Sequence, residues 1–253
     1  MLKSADRVIV ALDCSRERAL ELADLLGGHA TWVKIGMTLY YACGPEIVDA
    51  MHDKGLKVFL DLKLHDIPHQ IRGAAESASR AGADILSIHG LGGDAMVAAA
   101  REGVEAAAVD RDERTRLVSI TVLTSMDQES LAKIGIDAPV ADEVSRLATL
   151  ACGAGSDGIV CSPQEAAAMR ELLGPDALIV TPGVRPAGSE VGDQRRIATP
   201  AAAVSAGATQ LVVGRPITQA DDPVAAFDAI VEELDAMSAI ASTCTNALTF
   251  FVK

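Results

Sequence analysis

Eight short apolar runs, each followed by a stretch with helical spacing, constrain this chain more than any other feature. The runs are Val8–Asp13, Thr31–Gly36, Lys57–Leu62, Ile85–Gly90, Arg116–Leu123, Gly158–Ser162, Leu178–Val184 and Gln210–Arg215. Most are continuously apolar rather than alternating, as parallel strands are when helices cover them from outside. The intervening segments are rich in Ala, Glu and Leu; Ser15–Leu26, Asp94–Ala108, Pro139–Cys152, Pro163–Leu173 and Asp222–Asp235 read as helices. Pro recurs at or near a first helical turn, at Pro68, Pro139, Pro163, Pro200 and Pro223, where its missing N–H does no harm.

Strand then helix, eight times over, predicts an α/β fold, a single-domain (β/α)8 TIM barrel. The alternative is an open doubly wound sheet, but the first strand-to-helix turn, Asp13-Cys14-Ser15-Arg16, carries no GxGxxG. One barrel domain is expected over 1–253, with its core at about 6–235 and a tail at 236–253 to which the sequence assigns no role. Two longer connections, Thr124–Ala138 and Pro186–Thr199, have the length and polarity of functional lids.

With 49% hydrophobic residues the chain can fill one large core. A net charge of −13 and only 3% aromatics argue against nucleic acid as a partner. An anionic small molecule remains compatible if arginines gather at one site. The five cysteines are scattered, without a CxxC pair or zinc spacing, and read as reduced thiols of a cytoplasmic protein. The N-terminal residues lack a signal-peptide apolar region, and no apolar run reaches membrane-spanning length.

Charged and polar residues collect at the C-terminal ends of the runs, where such barrels carry their sites. Asp13 ends the first, and Lys34 lies within the second between Val33 and Ile35. Asp61 and Lys63 end the third, two apart on one strand face, with Asp66 just beyond. A solvated surface cluster and a snorkelling Lys34 are the bland readings. A buried alternating network of charge is the functional one. Gly183 with Arg185, and Gly214 with Arg215, close the seventh and eighth runs; close backbone approach beside forked donors suits a phosphate. His65, His69 and His89 read as structural, and no spacing among them makes a persuasive metal site.

Taken together, Val10-Ala11-Leu12-Asp13, Val33-Lys34-Ile35-Gly36, Asp61-x-Lys63-x-x-Asp66-Ile67-Pro68, Thr121–Met126, Pro182-Gly183-Val184-Arg185, Asp193-Gln194-x-Arg196 and Val213-Gly214-Arg215-Pro216-Ile217-Thr218 resemble the orotidine 5′-monophosphate decarboxylase family over about residues 6 to 235. The resemblance implies decarboxylation of orotidine 5′-monophosphate to UMP, without metal or organic cofactor, in a homodimer with shared active sites. It implies that Lys34, Asp61, Lys63 and Asp66 form the charged array, with Lys63 as proton donor and Asp66 and Ile67 lent to the neighbouring subunit. Asp13 takes the place of the ribose ligand, Thr124 of the pyrimidine contact, and Gln194 of the lid residue joining base and phosphate. Arg185, Gly214 and Arg215 stand where phosphate ligands do. One position departs: the family usually has Thr two residues after the Pro68 equivalent, and here it is Gln70. Two other readings are a metal-dependent ketose-phosphate decarboxylase or aldolase of the same superfamily, and a non-catalytic nucleotide-binding barrel.

Overall fold

A computed structural model describes residues 2–109, 114–186 and 198–250, with side chains through 239. Eight strands, β1 (Val8–Ala11), β2 (Trp32–Gly36), β3 (Lys57–Leu64), β4 (Ile85–His89), β5 (Arg116–Ile120), β6 (Gly158–Val160), β7 (Leu178–Pro182) and β8 (Gln210–Val213), pair in parallel, each with the next, and β8 pairs back onto β1. The sheet closes into the expected TIM barrel. Helices wrap its outside: α1 (Arg16–Leu26), α2 (Met37–Cys43), α3 (Glu46–His52), α4 (Pro68–Arg80), α5 (Gly93–Ala107), α6 (Gln128–Lys133), α7 (Val140–Gly153), α8 (Ala166–Leu173), α9 (Pro200–Ser205), α10 (Arg215–Thr218) and α11 (Pro223–Phe250).

Local chemistry explains the helix starts. The Ser15 hydroxyl accepts from the Arg18 N–H, Asp127 from the Ser130 N–H and Thr199 from the Ala202 N–H, each satisfying an N–H that a helix start leaves open. Pro68, Pro200 and Pro223 occupy first helical positions. Two expectations need correction. The 124–138 connection is not wholly a loop, because the Asp127 cap nucleates α6 within it. The last helix, expected over Asp222–Asp235, does not end there: no Gly or Pro follows Pro223 to stop it, and α11 runs on to Phe250.

Strand residues alternate between two cores. Ile9, Phe59, Ile85, Val118, Val180 and Val212 fill the barrel interior, whereas Val10, Val33, Ile35, Val58 and Leu60 pack outward with helix residues such as Leu22 and Met51. Both strand faces are thus covered, the reason the runs read as continuously apolar.

The N-terminal end of the barrel is fastened by charge. The Asp157 carboxylate accepts from Arg114 Nη1 at 2.7 Å, from Arg114 Nη2, and from the Leu117 N–H at 2.8 Å. The Asp157 backbone pairs with Leu117 and Leu178, so one residue joins the starts of β5, β6 and β7. Burial alone would raise the Asp157 pKa, but Arg114 and the Leu117 N–H outweigh it and hold the carboxyl below its ordinary value. Its contribution is therefore complete above the unfolded-state value of about 3.9 and is lost as pH falls through the lower folded one. Replacing Asp157 with Ala strands a partly buried guanidinium and should cost about 3 kcal/mol at neutral pH. Thermal unfolding should then show a Tm lower by roughly 6–12 °C. A change under about 2 °C would mean that the contact contributes little.

Candidate active site

The strands place their third-layer residues toward the axis at the C-terminal mouth. Inward positions follow the period of two: Trp32, Lys34 and Gly36 on β2, Phe59 and Asp61 on β3, Ile85, Ser87 and His89 on β4. Above the apolar interior a line of alternating charge results. Lys34 Nζ lies 2.9 Å from Asp13 Oδ1 and 3.4 Å from Asp61 Oδ2, and Lys63 Nζ lies 2.7 Å from Asp61 Oδ1. Lys34 is 8% exposed and Asp61 9%, so neither is a surface charge. Burial by itself would discharge both. The Asp61 and Asp13 carboxylates more than offset it at Lys34, which is held above the usual lysine range. Lys34 and Lys63 do the same for Asp61, held below the usual carboxylate range.

Gly36 makes room for this line. A Cβ there would sit 3.2 Å from Lys34 Nζ and 3.3 Å from Asp13 Oδ1, crowding the pair. Lys63 is the one non-glycine among the described residues with positive φ, at 49°, a conformation that costs a side-chain-bearing residue about 1–2 kcal/mol. It lies where the β3–β4 register shifts between Leu60 and Leu64. The juxtaposition of Asp61 and Lys63 expected from strand alternation is therefore reached through a bulge and not a regular pleat.

A cavity of about 470 Å³ opens over the array. Its lining joins Asp13, Lys34, Asp61 and Lys63 to Thr124, Gly183, Arg185, Gly214 and Arg215. Nine positions singled out in the sequence thus share one space. Gly183 adopts φ 78°, which favours glycine. At Gly214 an added Cβ would meet only the Ala11 Cβ, at an ordinary 3.6 Å, so packing within the chain does not demand the glycine. Arg185 is buried and donates to the Val184 carbonyl at 2.9 Å, whereas Arg215 is exposed at the mouth.

Asp66 does not join the array within its own chain. It is exposed, and its carboxylate accepts from the Ile67 N–H at 2.6 Å. Ile67 is 63% exposed, and Gln70 is exposed in the first turn of α4. A second cavity, of about 530 Å³, lies beside the array and is lined by Leu12, Cys14, Gly36, Met37, Leu39 and Ala42 as well as by Asp13, Arg16, Lys34, Asp61 and Lys63. Gln194, with Asp193 and Arg196, falls outside the described residues.

Sequence reasoning missed Ser87 and the pairing of His65 with His89. The rings stack with centroids 5.1 Å apart and planes 21° apart. His89 Nδ1 is buried and makes no hydrogen bond among the described residues. The signal was present: Ser87 and His89 are the two polar residues in Ile85–His89, and they share a strand face.

Burial first, then His65 and Lys63, push the His89 pKa down from 6.5 to about 4. The unfolded chain therefore binds a proton that the folded chain refuses, and His89 costs stability as pH falls from about 6.5 toward 4. Between about pH 7 and pH 5 the Tm of the wild type should fall further than that of His89→Gln. Equal falls in the two proteins would remove His89 from the acid response.

Comparison with known proteins agrees with this geometry. A model of the orotidine 5′-phosphate decarboxylase / HUMPS family matches residues 6–230. The orotidine 5′-phosphate decarboxylase of Cutibacterium acnes is 50% identical over 232 residues, which span 91% of this chain and 97% of that protein. The enzyme of the same name from Moorella thermoacetica is 48% identical over 92% of this chain and 94% of its own length. Among solved structures, orotidine 5′-phosphate decarboxylase from Lactobacillus acidophilus superposes with a TM-score of 0.80 at 37% identity, covering 90% of this chain and 99% of that one. An uncharacterized conserved protein from Geobacillus kaustophilus superposes equally well, at 36% identity. Agreement that begins before Asp13 and runs past Arg215 takes in every strand end described above, and by it this chain belongs to the orotidine 5′-phosphate decarboxylase / HUMPS family.

Proposed function

We propose that this protein is a carboxy-lyase that converts orotidine 5′-monophosphate to UMP and CO2 in pyrimidine synthesis, in the cytoplasm and without a cofactor. The observation that carries the reading is the Lys63 ammonium, fixed 2.7 Å from a buried carboxylate and sharing one cavity with two arginines.

Loss of CO2 breaks the bond between C6 of the pyrimidine and its carboxylate and leaves the electron pair on C6. That pair lies in the ring plane, where the ring cannot delocalise it. A preorganised ammonium aimed at C6 stabilises the charge as it forms and then delivers the proton. Lys63 takes both roles and regains its proton from water. Asp61 stands against the substrate carboxylate, and repulsion between them is relieved as neutral CO2 departs. Lys34 ties Asp61 to Asp13, which receives a ribose hydroxyl, and Thr124 meets the base. Arg185, Arg215 and the Gly214 backbone take the phosphate, with Gln194 bridging phosphate and base. Phosphate binding far from C6 supplies energy for organising the site.

The metal-dependent sugar-phosphate reading has less support. Asp13 and Asp61 face Lys34 between them, so the two carboxylates that could share a divalent cation are already bridged by an ammonium. Among the described residues no three His, Cys, Asp or Glu cluster as metal ligands do. Nor, among them, is any helix long and apolar enough to cross a membrane. The net charge of −13 fits a small-molecule substrate better than nucleic acid.

The protein works as a homodimer in this reading. Exposed Asp66 and Ile67 reach into the second cavity of a partner barrel and complete its array, with Gln70 making the contact that a threonine makes elsewhere in the family. An exposed large apolar residue next to an exposed acid, and an open cavity beside the charged line, support it.

The decisive experiment follows orotidine 5′-monophosphate by its ultraviolet absorbance in the presence of EDTA. Wild-type protein should consume it, and Lys63→Ala should lose at least about 1000-fold in kcat, or 4 kcal/mol of barrier. No consumption by the wild type would end the reading, and a loss under about tenfold in Lys63→Ala would end the proton-donor role.

Sharing of sites has its own test. Lys63→Ala and Asp66→Ala homodimers should each be nearly inactive. Unfolded together and reassembled, they form heterodimers in which one site carries both defects and the other carries neither. Activity should reappear; a mixture as inactive as its components would confine Asp66 to its own chain.

A further inference from the structure

We infer that Ser87 is a positioning residue for the decarboxylation, holding Lys63 and Asp61 in their reactive arrangement from the neighbouring strand. The inference rests on the function proposed above and adds to it a residue that touches no substrate.

Ser87 is 0% exposed, on the inward face of β4 between Ile85 and His89. Its hydroxyl accepts the Lys63 backbone N–H at 2.9 Å and donates to Asp61 Oδ1 at 2.9 Å. Lys63 Nζ donates to the same Asp61 oxygen at 2.7 Å. A closed ring results: backbone N–H to hydroxyl, hydroxyl to carboxylate, ammonium to carboxylate. Only a group that accepts and donates at once can close it, and at this volume a serine does so.

The ring accounts for the conformation of Lys63. In a regular ladder its N–H would face β2, because the Lys57 N–H pairs with the Thr31 carbonyl before β2, the Val58 carbonyl takes the Asp84 N–H before β4, and Lys63 shares the side of Lys57. Instead the register shifts between Leu60 and Leu64, Lys63 turns to φ 49°, and the freed N–H is met by the Ser87 side chain. A strained backbone persists only where its surroundings over-determine it. The same hydroxyl helps keep Asp61 ionised in its buried place. The alternative is that Ser87 merely satisfies a buried polar group, in which case its loss would touch stability and leave chemistry alone.

Ser87→Ala separates the two, with Ser87→Cys, a close match in volume but a weak donor, as the second variant should alanine impair folding. Affinity for UMP, measured by calorimetry, should stay within about threefold of wild type, because the phosphate anchors are untouched. The kcat for orotidine 5′-monophosphate should fall by at least about tenfold. The acid limb of the kcat profile should move to higher pH, since Asp61 without the hydroxyl takes up a proton more readily. A kcat within about twofold of wild type, or an acid limb that stays in place, would overturn the inference. Should the wild type itself not turn over, the functional reading fails, and a crystal structure of Ser87→Ala still decides this point. Lys63 should leave positive φ and its Nζ should draw away from Asp61; an unchanged Lys63 would show that Ser87 does not hold it.

Discussion

Everything at the mouth of this barrel follows from keeping Asp61 ionised where water hardly reaches. A carboxylate taken out of water must be paired or lose its charge. Two ammonium groups and a hydroxyl meet Asp61, and each brings a further requirement. Lys34 is itself buried and needs Asp13; Lys63 must leave the regular strand to reach its place; Gly36, without a side chain, leaves Lys34 and Asp13 uncrowded. The demand spreads over four consecutive strands. Such a network has little value as stability, since apolar residues of similar volume often serve as well, but breaking it leaves an uncompensated charge. Its value is a set of charges fixed in advance of any reaction.

The barrel separates this costly mouth from the parts that keep it folded. Its interior below Asp61 is apolar. Its far end is fastened by Asp157 and by Arg170, whose guanidinium donates to the carbonyls of Gly174, Ala177 and Gly207 and to the Thr209 hydroxyl. Arg170 stitches the loops around β7 and β8 at the end opposite the cavity that Arg185 and Arg215 line. Conserving those basal ties would serve the fold, and altering the mouth would change the chemistry, which is how one scaffold hosts many reactions.

The sequence made the architecture legible because parallel strands covered on both sides leave long apolar runs. The strand ends made the site legible, since Asp13, Lys34, Asp61, Lys63, Thr124, Arg185, Gly214 and Arg215 do line one cavity. What escaped has physical causes. Ser87 is ordinary in isolation, and its importance depends on a bulge in a different strand, which periodicity cannot register. The short helices α2, α3 and α6 have too few turns to show a clear period, and α6 rests on a single aspartate cap. The length of α11 was hidden because its second half lacks an amphipathic pattern, although it also lacks any residue that would stop it. Asp66 was read as belonging to the array of a neighbouring subunit; within its own chain it stands outside the array, exposed beside Ile67.

Closure of the barrel by β8 against β1 has a consequence for timing. Asp13 precedes Arg215 by nearly the whole chain, yet the two stand at adjacent strands once Val10 pairs with Val213. No partial chain emerging from the ribosome can assemble this cavity, because its last wall is the last strand made. Contacts this distant in sequence form slowly and late. Until then Lys34 and Asp61 belong to an incomplete sheet whose open edges invite association with other chains. The chemistry of the mouth is thereby tied to completion of synthesis, and a truncated product would be without function and also a hazard to its neighbours.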